Sequence, residues 1–349
     1  MRRAALVAVA AAFVAAAPAG AGVGQASFAM NPERYDPNLS VTRSYFVAQA
    51  KPGTTFTNGV RIVNRGGTSG TAMLYAVDAT TGQTSGAVYL DRGKPRHDVG
   101  SWVTLGAQSV TLGPGQSRVV RFTVHVPAGA HPGDHLGGIV AENAALTQAS
   151  GSGALRIRVK HLTIVAVLAQ IPGPAAALVR PTRVYAGGEH GYQYVYIHLA
   201  NGGAVATKPT GRLLISTPDG KEVAARDLAL DTFLPGTAID YPVLLPKTAL
   251  APGRYHATVD LTWSAAPIGY RQTTGASQSS STGFEFTVTE AQHQAVFKGV
   301  APLPGEKKQP SAKQGGTSIT LLLTVGIGAA VLAAALVLVF FGFRRWSAR

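Results

Sequence analysis

A chain of 349 residues is long enough for two domains of ordinary size, about 100–200 residues each, once its terminal segments are set aside. It contains no cysteine, which excludes disulfide-held folds and cysteine nucleophiles, so hydrophobic cores must hold the domains together. With 31 Lys and Arg against 17 Asp and Glu, the net charge is +14, and such a chain attracts polyanions over long distances.

The N-terminus has the pattern of a cleavable secretory signal. Arg2 and Arg3 precede an uncharged, apolar run over residues 4–17, and a series of small residues follows. The run is shorter than the ~20 residues that a membrane-spanning helix needs, which argues against a retained anchor. We therefore predict a signal peptide over residues 1–26, with cleavage after Ala21 or Ala26.

The next part of the chain, up to residue 290, predicts an all-β structure. Short runs alternate apolar and polar residues and are separated by Gly, Pro, Asn and Asp. The clearest run is 119–126, and similar runs are 72–77, 155–167, 192–199, 212–216, 254–263 and 284–289. No convincing amphipathic helix intervenes, which favours a sandwich or barrel over a parallel α/β fold.

This β-rich region also repeats itself. Four landmarks of the first half have counterparts in the second half, in the same order. Asn64 corresponds to Asn201, Pro114-Gly115 to Pro235-Gly236, Pro127 to Pro246, and Pro132-Gly133 to Pro252-Gly253. We therefore predict two tandem immunoglobulin-like β-sandwich domains over residues 27–171 and 175–290, joined by a short, stiff segment. The first copy is longer between its landmarks, which places an insertion around residues 78–101.

The C-terminal part predicts a membrane anchor. Residues 291–317 are rich in Pro, Gly, Lys and Gln and predict a disordered stalk, whereas residues 318–343 are uncharged and almost wholly apolar, as in a transmembrane helix. Arginines follow directly, so the basic tail 344–349 is expected in the cytoplasm. We expect a single-pass protein of the cell membrane with its N-terminus outside, where anionic wall polymers or lipid headgroups are available as partners and nucleic acid is not.

Several residues of the first predicted sandwich resemble a known family. They are Phe28–Pro32, Tyr45-Phe46, Lys51–Gly53, Val63-Asn64, Asp78–Tyr89 and Pro132–Ile139. In this order they resemble the N-terminal domain of the WxL-interacting protein family from bacterial cell surfaces, over about residues 27–170. The resemblance implies a β-domain that binds peptidoglycan, followed by a second β-domain for host or partner proteins, a helix and a basic tail. Residues 175–290 show no motif of that second domain.

The usual signatures of catalysis and metal binding are missing from the sequence. It has no Gly-x-Ser-x-Gly or Ser-x-x-Lys motif, and nothing sets apart a pair of carboxylates such as Asp134 and Glu142. We therefore predict a protein that is not an enzyme and needs no cofactor. Three histidines near Asp134 suggest a metal at first sight, but an intervening Pro-Gly pair excludes the helix that would align them: His125, His131 and His135.

The best candidates for ligand contact are basic residues of the insertion. Arg92, Lys94, Arg96 and His97 lie close together in a predicted loop, where exposed cations are free to meet an anionic polymer. An ordinary solvated surface is the alternative interpretation. Two tryptophans could stack on sugar rings, but in alternating runs they are more typical of a sandwich core: Trp102 and Trp263.

Three functions therefore remain open. The first is a non-catalytic, membrane-anchored surface protein that binds peptidoglycan or an associated anionic wall polymer. The second is an interaction or adhesion module that binds another surface protein through exposed strand edges. The third is a structural spacer without a specific ligand.

Overall fold

The computed structural model describes residues 25–145, 147–149, 157–189, 191–245, 250–271 and 277–297. Most of the regular secondary structure in this part of the chain is β-strand, which confirms the predicted all-β class. No helix within these ranges is long and apolar enough to cross a membrane. The predicted signal peptide up to residue 24, the transmembrane helix 318–343 and the tail 344–349 lie outside the described residues.

The strands between residues 28 and 171 are β1 Phe28–Pro32, β2 Phe46–Gln49, β3 Thr55–Asn64, β4 Gly70–Thr81, β5 Ala87–Tyr89, β6 Val103–Leu105, β7 Ser109–Leu112, β8 Ser117–His125, β9 Gly133–Asn143, β10 Thr147–Ala149, β11 Ile157–Val159 and β12 Leu162–Ile171. A 3-10 turn spans Ser40–Arg43, and the short helix α1 spans Val99–Trp102. The strands that follow are β13 Val179–Glu189, β14 Tyr192–Asn201, β15 Thr210–Ser216, β16 Glu222–Ala229, β17 Thr237–Leu244, β18 Gly253–Trp263 and β19 Gln278–Val288, and helix α2 spans Glu290–Phe297.

Two sheets enclose a first hydrophobic core. One has the strand order β1-β3-β8-β6; the other has the order β2-β12-β9-β4-β5, with β7 also paired to β4. The alternation in β8 buries Val120, Phe122 and Val124, as the sequence predicts. Phe46 on the opposite sheet meets the Phe122 ring edge to face, with 4.6 Å between ring centroids. We call this pair of sheets the first sandwich.

A second pair of sheets encloses a second core. Their strand orders are β13-β14-β17 and β16-β15-β18-β19, and we call them the second sandwich. Its core residues lie between Ala177 and Val288, whereas those of the first sandwich lie between Ala26 and Ile171. Both cores belong to one compact unit.

The internal repeat is visible in the hydrogen bonds of two buried asparagines. Asn64 donates from Nδ2 to the carbonyl oxygens of Thr68 and Leu112, at 2.8 and 2.9 Å, and accepts the Gly66 N–H at Oδ1. Asn201 makes the same set of bonds, as Nδ2 donates to Val205 and Phe233 and Oδ1 accepts the Gly203 N–H. Each asparagine therefore ties the turn that follows its strand to a neighbouring segment, through hydrogen bonds to backbone groups.

The predicted insertion lies against the first sandwich. Tyr89 of β5 lies over Gly138 of β9, where an added Cβ would come within 2.8 Å of the tyrosine ring. The neighbouring Gly137 faces the core and leaves room for Val99 of α1, whose Cβ would be 2.9 Å from an added Cβ. The paired glycines of β9 thus let the insertion pack closely on two sides of one strand.

The two sandwiches meet in a polar contact that we call the seam. Asp134, whose side chain is 1% exposed, forms a two-point ion pair with the guanidinium of Arg271. It also accepts hydrogen bonds from Gln170 Nε2, at 3.0 Å, and from the Ala206 N–H, at 2.8 Å. A buried carboxylate needs such partners to offset its lost hydration. Arg271 ends the segment 264–271 of the second sandwich, which we call the bridging loop.

Further contacts extend the seam beyond this ion pair. Thr81 Oγ1 accepts the Leu234 N–H at 2.9 Å, and Ser85 Oγ accepts the Asp231 N–H at 2.7 Å. A small apolar cluster packs nearby, formed by Ala206, Leu234 and Ala266 with Ala79, Ala87, Leu136 and Ile268. The two sandwiches are therefore held together by direct contacts at the seam as well as by the short chain segment that connects them.

The first residues of the predicted stalk are helical. The prediction places disordered chain from residue 291, but Glu290–Phe297 form α2, and Val296 in it is only 2% exposed. The Gly191 N–H donates to the Val296 carbonyl oxygen at 2.8 Å, so α2 is tied to the turn between β13 and β14. The composition of the segment did not predict that α2 packs against this turn. The rest of the predicted stalk, residues 298–317, lies outside the described residues.

Candidate functional site

The four predicted polymer-contacting residues lie in one exposed loop, residues 90–98, which we call the basic loop. Arg92, Lys94 and Arg96 line a cavity of about 510 Å³. His97 is also exposed but lines a neighbouring cavity, again of about 510 Å³, beside α1 and the seam. The structure thus brings three of the four residues together and places the fourth on the other side of the loop.

The wall of the first cavity includes an aromatic side chain that sequence reasoning missed. The Arg92 guanidinium lies 5.1 Å from the centroid of the Tyr75 ring, within the range of a cation–π contact. The Tyr75 hydroxyl donates to Glu142 Oε2 at 2.9 Å, and Lys160 Nζ lies 3.5 Å from Glu142 Oε1. Burial, and then the contact with Glu142, raise the pKa of Tyr75, so this tyrosine stays neutral.

Asp78 anchors the basic loop to strand β4. Its buried carboxylate accepts the backbone N–H groups of His97, Asp98 and Gly100 at 2.6, 3.1 and 2.7 Å. The Arg96 guanidinium donates to the Gly100 carbonyl oxygen at 3.1 Å, which ties the same turn from its other side. The cations are therefore exposed on a loop that is fixed in place, so little ordering is needed when a ligand binds. An acidic residue within a β-strand is the only sequence signal for this role, and it does not show which groups Asp78 binds.

His135 provides a second anchor. Its Nδ1 lies 2.8 Å from Asp98 Oδ1 and its Nε2 lies 2.9 Å from the His131 carbonyl oxygen, so both ring nitrogens face acceptors. Burial lowers the pKa of His135, but the hydrogen bond and the charge of Asp98 outweigh it, and the net pKa is raised. The imidazolium form, which can donate from both nitrogens, suits this position best.

The two tryptophans are core residues, as predicted. Trp102 of α1 is 7% exposed and packs against the His135 ring, with 4.9 Å between centroids. Trp263 is 5% exposed and its Nε1 donates to the Ala177 carbonyl oxygen at 3.3 Å. Neither ring is free to serve as a sugar platform.

The histidines and the aspartate considered as metal ligands do not share one site. His125 contacts Thr55, whereas Asp134 faces Arg271 and His135 faces Asp98. In the described ranges no three His, Asp or Glu side chains are grouped as metal ligands.

The comparison with known families decides the nature of the first sandwich. The family described as "WxL Interacting Protein, peptidoglycan binding domain" matches residues 28–143. Over this range the chain is similar to that domain family. The match confirms the resemblance seen in the sequence. The matched range of the WxL-interacting protein domain contains the basic loop and its anchors Asp78 and His135.

Other comparisons add little. No curated protein matches the chain. Among solved structures, the class 5 fimbriae chaperone CfaA has 12% identity and a TM-score of 0.32, covering 72% of this chain and 98% of its own. A chaperone–tip adhesion subunit complex of Csu pili from Acinetobacter baumannii has 9% identity and a TM-score of 0.35, covering 75% and 98%. Similarity this low carries no argument about function.

Proposed function

We propose that this chain is a non-catalytic surface protein that binds peptidoglycan or an associated anionic wall polymer through its basic loop. The observation that carries the proposal is the match of residues 28–143 to a peptidoglycan binding domain, because this range encloses the basic loop and its cavity. In the proposed layout, a signal peptide and a C-terminal transmembrane helix hold two tandem immunoglobulin-like sandwiches on the outer side of a bacterial cell membrane.

The electrostatics of the loop support a polyanion as the ligand. Arg92, Lys94 and Arg96 converge on the cavity, and Asp78, which also lines it, is occupied by backbone N–H groups. The exposed Asp91 is the remaining carboxylate among the lining residues. Exposed cations on a fixed loop attract an anionic polymer at long range, and the attraction weakens as salt screens it.

The partners of the buried carboxylates agree with a binding role. Glu142 is occupied by Tyr75 and Lys160, and Asp134 by Arg271. Each carboxylate is thus held by a cation and by hydrogen-bond donors, whereas glycosidase chemistry requires two carboxyl groups that are free to act on the sugar.

Sedimentation of the full chain with purified bacterial cell wall tests the proposal. We expect the wild-type chain to pellet with wall at about 0.01 M salt and to be released towards about 1 M, where the screening length falls to ~3 Å. The triple variant Arg92→Ala, Lys94→Ala, Arg96→Ala should remain in the supernatant at both salt concentrations.

A matched control removes the same charge elsewhere. Lys51, Arg61 and Arg118 are exposed on the first sandwich and do not line the cavity, so their combined change to alanine should leave sedimentation close to that of the wild type. Equal losses in both triple variants would assign binding to net charge and contradict a site at the basic loop.

A second candidate function is binding of another surface protein at a strand edge. In the first sandwich β8 pairs with both β3 and β6, whereas β17, its counterpart in the second, pairs within the described residues only with β14. An open edge can accept a strand from a partner. A photo-crosslinker at Leu244, which is 45% exposed on β17, should then give one dominant protein adduct in cells.

A further inference from the structure

A separate cavity of about 320 Å³ lies between the N-terminal part of the first sandwich and the bridging loop. Its lining includes Arg34, Tyr35, Asp36, Tyr45, Asn58 and Tyr270. We call it the tyrosine cavity. Its volume is near the lower end of the range of small-molecule sites, about 300–1,000 Å³.

Two of its tyrosines are unusually exposed. Tyr35 is 49% exposed and Tyr270 is 36% exposed, although most large apolar side chains of the described residues are buried or partly buried. The Arg43 guanidinium lies 4.7 Å from the centroid of the Tyr35 ring, which restricts the movement of that ring. The cavity therefore offers apolar ring surface and polar hydroxyl groups at the same place.

The polar groups around these rings are held in fixed positions. Asp36 accepts the Asn38 N–H at 2.9 Å and the Tyr270 hydroxyl at 3.2 Å, one on each carboxylate oxygen. Asn58 Nδ2 donates to the Arg34 carbonyl oxygen at 3.2 Å, and Arg34 Nη2 donates to the Thr57 carbonyl oxygen at 2.6 Å. Asn58 Oδ1 also accepts the Arg34 and Gly59 N–H groups. One Asn58 N–H, further guanidinium N–H groups and further lone pairs of the Asp36 carboxylate remain for a ligand.

The bridging loop brings Tyr270 to the cavity. The Tyr270 N–H donates to Gln170 Oε1 at 2.8 Å, and the next residue, Arg271, is held by Asp134. Gly269 has a φ of +59° and lies so close to the first sandwich that an added Cβ would be 2.8 Å from Val47. The seam thus positions Tyr270, and the cavity is complete only when both sandwiches contribute.

We propose that the tyrosine cavity binds a neutral saccharide of one or two pyranose rings. A pyranose has C–H groups on its faces and hydroxyl groups around its edge, which fits exposed aromatic rings beside fixed donors and acceptors. Arg34 and Asp36 balance each other in the lining, which favours a neutral ligand, and the mixture of polar and aromatic lining offers no deep apolar hole for a peptide side chain. The inference goes beyond the wall contact proposed for the basic loop and does not depend on it.

Calorimetric titration of the purified full chain tests this site with two neutral probes. Chitotriose represents an N-acetylglucosamine glycan of the wall type, and lactose represents a galactose-containing glycan. We expect at least one of them to bind, and Tyr270→Ala to weaken that binding about tenfold, the loss that fits one aromatic contact. Tyr35→Ala, which does not touch the seam, should weaken it similarly.

The matched control is Tyr192→Ala, since Tyr192 is 50% exposed but lies on β14 outside the cavity. It should bind the probes as the wild type does. The proposal is overturned if the wild type binds neither probe, or if the Tyr270 and Tyr35 variants bind as the control does. Failure of the wall proposal would give a different result. The triple variant of the basic loop would still sediment with wall, and it would bind the saccharide probes as the wild type does.

Discussion

The two sandwiches of this chain share one framework but differ in what is attached to it. Asn64 and Asn201 make equivalent hydrogen bonds, and β9 and β18 each begin at the glycine of a Pro-Gly pair and lie between two partner strands. The insertion between residues 78 and 101, with β5, the basic loop and α1, is found in the first sandwich. The repeated framework encloses the two cores, whereas the insertion and the seam form the candidate sites.

The largest expected effect comes from breaking the contact between the sandwiches. Asp134→Ala leaves the Arg271 guanidinium, 20% exposed, without its carboxylate, and we expect a loss of about 3–5 kcal/mol in the free energy of unfolding. Denaturant unfolding measures it. Glu285→Ala is the control, since its pair with Arg254 is exposed and worth at most about 1 kcal/mol. Equal effects of the two changes would mean that the seam contributes little.

Changes at the two framework asparagines test the equivalence of the sandwiches. Asn64→Ala and Asn201→Ala each remove three hydrogen bonds to backbone groups beside a core, so each should lower the free energy of unfolding by about 2–3 kcal/mol. Asn31→Ala, at an exposed position, should cost less than about 0.5 kcal/mol. A large effect at only one of the two buried asparagines would contradict an equivalent framework.

A smaller effect is expected where the insertion packs on β9. Gly138→Ala pushes a methyl group against the Tyr89 ring and should cost about 1–2 kcal/mol and weaken wall sedimentation, because β5 leads into the basic loop. Gly129→Ala is the control, since an added Cβ there meets no atom within 4 Å. If Gly138→Ala were as harmless as Gly129→Ala in both assays, close packing at Tyr89 would not hold the insertion.

The smallest effect concerns pH. Because the folded state raises the pKa of His135, its protonation stabilises the fold fully below the unfolded value of about 6.5, and this contribution is lost as pH rises through the folded pKa. The melting temperature should therefore decrease from about pH 6.5 upward. His135→Gln should flatten this part of the pH profile. An unchanged profile in the variant would assign the dependence to another group.

Much of the framework could be predicted from the sequence. Alternation identified β8, and the recurring Asn and Pro-Gly turns identified the repeat, because these signals depend on local chain geometry. The seam could not be predicted, since the pairing of Asp134 with Arg271 joins residues 137 positions apart and leaves no local pattern.

For the candidate site, the sequence identified the cations but not their surroundings. Basic residues in an insertion are visible in the sequence, and three of the four do share a cavity. Tyr75 and Asp78 could not be assigned, because their roles depend on how the insertion folds back over β4. Tyr270 was missed for the same reason, as it reaches its cavity across the seam.

Chemical acetylation of lysines in the presence and absence of purified wall tests the central claim most directly. Both Lys94 and Lys51 are exposed, but only Lys94 lines the basic-loop cavity. Mass spectrometry can therefore compare the acetylation of the two lysines in one sample. We expect wall to protect Lys94 from acetylation at low salt and to leave Lys51 reactive. Equal reactivity of Lys94 with and without wall, in a chain that still sediments with it, would contradict binding through the basic loop.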